Sequence, residues 1–201
     1  TPIHIAFSYD EEIGCVGVRG MIGKLGAGLV RPRMVIVGEP TRMSVVDAHK
    51  GPARWRITVK GRAAHSSMAP LGVNAVSYAG RLISELARIE AELKQTTHDA
   101  RFDPPYATLQ ITEIEGGTAS NIVPVACRIG FEVRALPGLD VAEIERRIVD
   151  FAQRECLPEM RAVAEEAAID IQRSNEVPPF SAAGSEVVAL ALKLAGMNET
   201  H

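Results

Sequence analysis

The sequence predicts an α/β chain interrupted by a smaller α+β domain, and three observations carry that expectation. Two short apolar-rich runs near the start, residues 3–9 (IHIAFSY) and 34–37 (MVIV), read as buried strands of the kind found inside a parallel sheet. After residues 49–51 (HKG) the pattern changes, and residues 54–59 (RWRITV) alternate polar and apolar, the mark of a strand with one wet face. Two long stretches further on place apolar residues at helical period, so strands and helices alternate through the middle of the chain.

Between the first two strands, Val18, Ile22 and Leu25 stand at helical spacing, which makes a strand–helix–strand unit. Residues 74–94 then carry a stripe of Val76, Ala79, Leu82, Ile83, Leu86 and Ile89. Residues 107–115 and 126–136 are strands separated by Gly116-Gly117 and a polar loop. Residues 141–156 form a second amphipathic helix with Ile144, Ile148, Val149 and Ala152 on its apolar side, and residues 167–172 close with a strand. The order β-α-β-β-α-β is the split βαβ, or ferredoxin-like, arrangement. Residues 187–194 turn helical again. The reading is therefore an α+β ferredoxin-like domain over 50–174, inserted into an α/β catalytic domain that supplies segments 1–49 and 175–201.

Apolar residues make up 46% of the 201 residues and charged residues 23%, the profile of an ordinary globular chain. A net charge of −3 with no basic stripe points away from nucleic acid and from an anionic membrane as partners. No apolar run approaches the roughly 20 residues of a membrane helix. Cys15, Cys127 and Cys156 are an odd count with no CxxC pairing, which suits a reducing cytoplasm. There is no signal-peptide pattern, and the chain opens directly into an apolar strand and stops just past a helical pattern, as a piece of a larger protein would.

The sharpest local feature is residues 8–14 (SYDEEIG), where Asp10, Glu11 and Glu12 follow a strand directly. Three adjacent carboxylates repel one another unless a cation or proton relieves them. The second strand ends similarly, in Gly38-Glu39-Pro40-Thr41. On parallel neighbouring strands, both groups would meet at the carboxyl edge of one sheet, where α/β sites collect. Hard oxygen ligands there suit zinc or manganese, and two metals at one site clamp a hydrolytic transition state. The alternative is structural: Asp10 and Glu12 cap the following helix, and Glu39 is a loop residue before a proline.

Six ordered motifs, SYDEEIGCVG, VGEPT, AHKG, GRAAHSS, GGTASNIVP and EVRALPG, resemble the acetylornithine deacetylase branch of the co-catalytic dizinc metallohydrolases. That family also holds succinyl-diaminopimelate desuccinylase, aminoacylases and zinc carboxypeptidases. The resemblance runs from about residue 5 to 138. It implies a hydrolase of an N-acylamino-acid amide, acting as a homodimer through the inserted domain and using two zinc ions per subunit, with cobalt as a substitute. It implies Glu11 as the general base toward a metal-bridging water, and Glu12 and Glu39 as ligands of the two metals. His65 matches a histidine that reaches the partner subunit's site and binds the oxyanion of the tetrahedral intermediate. Asn121 and Arg134 match substrate contacts, and a guanidinium suits a substrate carboxylate because it binds one through two parallel hydrogen bonds. The family's HxD motif, bridging aspartate and late histidine ligand fall outside this stretch, so the chain carries two of five implied ligands. Little or no metal is expected on it alone. Two other readings stay open: a non-catalytic dimerisation module, and a ligand-sensing ferredoxin-like domain that leaves the acidic motifs unexplained.

Overall fold

The computed structural model describes residues 2–12 and 14–200. The chain divides into two compact units, one built from its two flanks, up to His49 and from Phe180 onward, and one from Lys50–Pro179. In chain order the elements are α1 (Arg19–Ile22), β1 (Ala48–His49), β2 (Gly51–Lys60), a 3-10 helix (Ser66–Leu71) and α2 (Ala75–Thr96). Then come β3 (Thr108–Gly116), β4 (Ala126–Ala135), α3 (Val141–Phe151), a π turn (Ala152–Cys156), α4 (Leu157–Val163), β5 (Ala168–Glu176), β6 (Phe180–Ser181) and α5 (Glu186–Ala195).

The Lys50–Pro179 unit is a four-stranded antiparallel sheet in the order β3-β4-β2-β5, with helices on one face. Its strands follow from alternation: Ala53, Trp55, Ile57 and Val59 of β2 are buried while Arg54 and Arg56 between them are exposed. Cys127, Ile129, Phe131, Val133 and Ala135 do the same in β4. Trp55 and Phe131 are register partners, and their rings stack with centroids 5.0 Å apart. The Trp55 indole N–H is not left unpaired; it donates to Glu145 at 3.0 Å, and Arg173 holds the same carboxylate at 2.5 Å. Burial pushes the Glu145 carboxyl up, but these two donors and the Arg173 charge outweigh it and leave it below its ordinary value.

Helix α2 starts where it does because Asn74 accepts hydrogen bonds from the backbone N–H groups of Val76 and Ser77 at 3.0 and 3.1 Å. Its buried stripe, Ala75, Ala79, Leu82, Leu86, Ile89 and Leu93, recurs every three or four residues. Glu85 is buried on the edge of that stripe and is held at 2.6 Å by Arg88. The second helical stretch runs longer than the expected 141–156 and is not uniform. Pro158 has no N–H to give the preceding turn, and its ring would strike the carbonyl of Arg154 in a regular helix. The chain widens into the π turn just before it, and Arg81 donates to the exposed Glu155 carbonyl at 2.6 Å.

The flanking unit departs from the sequence expectation. Residues 3–9 and 34–37 form no strand; Ile3, Phe7 and Val37 are 90%, 92% and 71% exposed. A strand of a parallel sheet is buried on both faces and needs neighbours for its N–H and C=O groups. Among the described residues this unit supplies the two-residue ladder Ala48↔Ser181 and His49↔Phe180 and the isolated bridge Leu25↔Leu29, so the apolar runs have no sheet to join. The helix expected around Val18, Ile22 and Leu25 is a single turn, α1, whereas the helix expected at 187–194 forms as α5.

Candidate functional site

At the end of the sheet where β2 leaves and β4 begins, two loops lie side by side. Residues 61–74 leave β2 and fold back on themselves: Arg62 N–H donates to the Val73 carbonyl at 3.0 Å, and Val73 N–H returns the bond at 2.9 Å. Two glycines allow this. A Cβ on Gly61 would sit 2.0 Å from the Val73 carbonyl oxygen, and one on Gly72 would meet Ala64 Cβ and Arg62 O at 3.0 Å. The loop before β4 closes the layer: Val123 N–H donates to Ala64 O at 2.8 Å, Ser66 N–H to Asn121 O at 2.9 Å, and Gly61 N–H to Val125 O at 2.8 Å. His65 and Ile122 form an isolated antiparallel bridge.

His65 thus sits between two pinned strand-like segments, with its side chain exposed, and it caps the 3-10 helix Ser66–Leu71. Its Nδ1 accepts from Ser67 N–H at 3.2 Å and lies 2.7 Å from Ser67 Oγ. Arg62 ties the same loop to the end of the helical layer: its guanidinium pairs with Glu166 at 2.9 and 2.7 Å and donates to Val163 O at 2.7 Å. That hydrogen bonding from Arg62, with a backbone N–H second, holds the Glu166 carboxyl down at about 2.

The candidate residues of the sequence fall in separate places. His65 and Asn121 are brought together, both exposed and joined through the Ser66–Asn121 backbone bond. Arg134 lies near the other end of β4, about 25 Å along the strand from Ala126 by the usual rise per residue. It is already engaged, with its Nε 2.5 Å from Glu132, whose carboxylate also takes Arg54 at 2.5 Å. Burial raises the Glu132 carboxyl, but the two guanidinium groups outweigh it and lower it overall.

In the flanking unit, the acidic run lies in a turn. Asp10 has φ 56°, and the Glu11 carbonyl accepts from Gly14 and Cys15 N–H at 2.9 Å each. Asp10, Glu11 and Glu12 are exposed; Ile13 falls outside the described residues. Glu39 is also exposed, just before a bend at Pro40 and Thr41, and its carbonyl accepts from Thr41 N–H at 2.7 Å. Among the described residues, no three His, Cys, Asp or Glu side chains are grouped closely enough to hold a metal ion. A zinc site needs at least three protein ligands, so although carboxylate oxygens suit the ion, the described residues of this chain do not form its site.

Sequence reasoning took in Gly61, Arg62 and Ser67 within the GRAAHSS motif without giving them a role, and passed over Gly72 and Glu166. The only signals were a serine two positions after a histidine and glycines framing that stretch, neither of which has meaning until the loop closes.

The Peptidase dimerisation domain family model matches residues 47–160, more than half of the chain, and the chain belongs to that family. It is 31% identical over 190 residues to acetylornithine deacetylase of Myxococcus xanthus, covering 92% of this chain and 49% of that one. It is 33% identical over 144 residues to acetylornithine deacetylase of Buchnera aphidicola subsp. Acyrthosiphon pisum (strain APS), covering 72% of this chain and 37% of that one. The chain therefore spans about half or less of the length of the curated relatives it matches. Among solved structures, aminopeptidase PepT from Bacillus cereus ATCC 10987 aligns with a TM-score of 0.59 at 22% identity, covering 96% of this chain and 48% of that one. A tripeptidase from Staphylococcus aureus subsp. aureus Mu50 aligns at 0.56 and 20% identity, with the same coverages of 96% and 48%. At these identities the structures speak to the fold alone. Among the described residues, no helix is long and apolar enough to cross a membrane.

Proposed function

We propose that the whole protein hydrolyses the N-acetyl amide of N-acetylornithine, a step of arginine biosynthesis, as a cytoplasmic homodimer. The observation that carries the reading is the pinned loop presenting His65 outward beside Asn121, within the segment that matches a dimerisation domain. The likeness to two acetylornithine deacetylases supports the substrate. Glu11 takes a proton from the attacking water and passes it to the leaving amine, a positioned carboxylate adding roughly 10²–10⁴-fold. Water oxygen bonds to the acyl carbon, the C–N bond breaks, and ornithine and acetate leave. His65, reaching into the partner subunit's site, donates to the oxyanion, and one such donor is worth roughly 10²–10³ in turnover. Asn121 and Arg134 contact substrate, Arg134 by exchanging Glu132 for the substrate carboxylate. Glu12 and Glu39 are this chain's proposed ligands to zinc or substituting cobalt; zinc binding belongs to the whole protein, and this chain alone is inactive.

The 50–174 segment is proposed as a ferredoxin-like insert that dimerises. The sheet order β3-β4-β2-β5 with the helices on one face supports that arrangement. So does the outer edge of β3, which pairs with no strand among the described residues and lies beside α2. The test is to assay the zinc-loaded whole protein on N-acetylornithine and on N-succinyl-diaminopimelate, and the 201-residue chain on the first. Faster turnover of N-acetylornithine by the whole protein and none by the chain are expected. Preference for the succinyl substrate would replace the assignment, and chelator-sensitive turnover by the chain would overturn its inactivity.

A further inference from the structure

We infer that Ser67 is a positioning residue that fixes His65 in one tautomer, with the ring proton on Nε2, so that the outward nitrogen is a donor and not a base. The inference deepens the role proposed above for His65 and rests on that reading for its functional meaning, though its geometry does not.

Ser67 N–H points at His65 Nδ1 at 3.2 Å, and a backbone N–H donates and never accepts. Nδ1 must therefore present its lone pair. Ser67 Oγ lies 2.7 Å from the same nitrogen. Taken alone, that contact is ambiguous, because a hydroxyl either donates or accepts. The backbone donor removes the ambiguity: a proton on Nδ1 would face the Ser67 N–H head on, so the hydroxyl also donates. In the neutral imidazole the one remaining proton is on Nε2. Among the described residues Nε2 has no hydrogen-bond partner, and the residue is exposed.

The surroundings keep the ring in place. His65 has extended backbone, φ −64° and ψ 140°, as a helix cap requires. Its carbonyl accepts from Met68 N–H at 2.8 Å, and the residues on either side bond to the Asn121 loop, Ala64 O from Val123 N–H and Ser66 N–H to Asn121 O. A solvated histidine interconverts its tautomers freely; this one has two donors sharing the lone pair of one nitrogen and a backbone hydrogen-bonded on both sides of it. The chemistry it fits is an oxygen acceptor, either a polarised carbonyl or the oxyanion that forms from it.

The test is long-range ¹H–¹⁵N correlation of the imidazole nitrogens in histidine-labelled 201-residue chain, with His65 identified by the signal lost in His65→Ala and exposed His98 as internal reference. The expected result is a pure Nε2–H pattern for His65, with exposed His98 showing an averaged pattern. Ser67→Ala keeps the backbone donor and loses the hydroxyl, and is expected to raise the minor tautomer roughly 2- to 10-fold, the worth of one neutral hydrogen bond; Ser67→Thr restores the parent pattern. An Nδ1–H pattern, or averaging at His65 equal to that of His98, would overturn the inference. So would a Ser67→Ala spectrum unchanged from the parent. In the zinc-loaded whole protein, Ser67→Ala is expected to lower kcat with KM little changed and Ser67→Thr to rescue it. Absence of any deacetylase activity would sink the functional reading while leaving the tautomer result standing.

Discussion

Replacing Gly61 with alanine tests whether the loop that presents His65 depends on close backbone approach. The added methyl would lie 2.0 Å from the Val73 carbonyl oxygen and 3.0 Å from its carbon, both backbone atoms with no flexible end to yield. Restoring ordinary contact separates the Arg62–Val73 pair by about an ångström, enough to break its two hydrogen bonds of 3.0 and 2.9 Å. At about 0.5–1.5 kcal/mol each, the loss is about 1–3 kcal/mol. Alanine also restricts the unfolded chain, offsetting about 0.4–1 kcal/mol, so the net expectation is a destabilisation of about 1–2 kcal/mol. Gly80 supplies the control: it lies on the exposed side of α2, and a Cβ there meets nothing within 4 Å. Gly80→Ala is expected to stabilise by up to about 1 kcal/mol from helix propensity. Urea unfolding followed by far-ultraviolet circular dichroism measures both, and hydrogen exchange at Ser66 and Val123 N–H reports on the loop itself. A Gly61→Ala chain as stable as the parent, with those two amides still protected, would mean that the loop does not depend on close backbone approach at Gly61.

Three further outcomes follow from the same structure. Phe131→Ala removes a buried ring stacked on Trp55 and should cost about 3–5 kcal/mol in the same unfolding assay; a loss under about 1 kcal/mol would mean the two rings are not the packed centre of the sheet. The Glu166 carboxyl is depressed from 4.5 to about 2, so its contribution is fully present above about pH 4.5 and is lost as pH falls toward 2. Glu166→Gln should therefore flatten the stability profile between pH 4.5 and 2 and leave its slope above pH 6 unchanged; an equal slope in parent and variant across the acid window would contradict the Arg62 pairing. In the whole protein, Glu11→Gln should lower turnover by orders of magnitude with metal content retained, and Glu12→Gln should lower metal content; the opposite pattern would reverse the two proposed roles.

The elements of the Lys50–Pro179 unit were legible because each carries its own periodicity. β2 and β4 alternate at period two, and α2 repeats its apolar stripe at three and four, with Asn74 marking the start. The π turn was not legible, since it arises from Pro158 in an otherwise continuous apolar pattern, and Arg81 supports it from another helix. The flanking strands at 3–9 and 34–37 misled for a physical reason. Apolar runs report a demand for burial, and whether a sheet forms depends on neighbours that local pattern does not supply. At the candidate site, motif wording picked out His65 and Asn121, which the fold places side by side, and Arg134, which it places near the other end of β4. Ser67 and Gly61 stood in the GRAAHSS motif without a role because their importance lies in a hydrogen bond and a contact distance, not in residue type.

In the proposed trans arrangement His65 completes a site whose Glu11 belongs to the other subunit, and mixing subunits tests that arrangement. Whole-protein His65→Ala and Glu11→Gln variants are each expected to be nearly inactive on N-acetylornithine. After dissociation and reassociation at equal concentration, half of the dimers are mixed and each rebuilds one of its two sites, so about a quarter of parent activity should return. If demonstrated subunit exchange recovers none, His65 acts within its own subunit or not at all, and the proposed trans role is wrong.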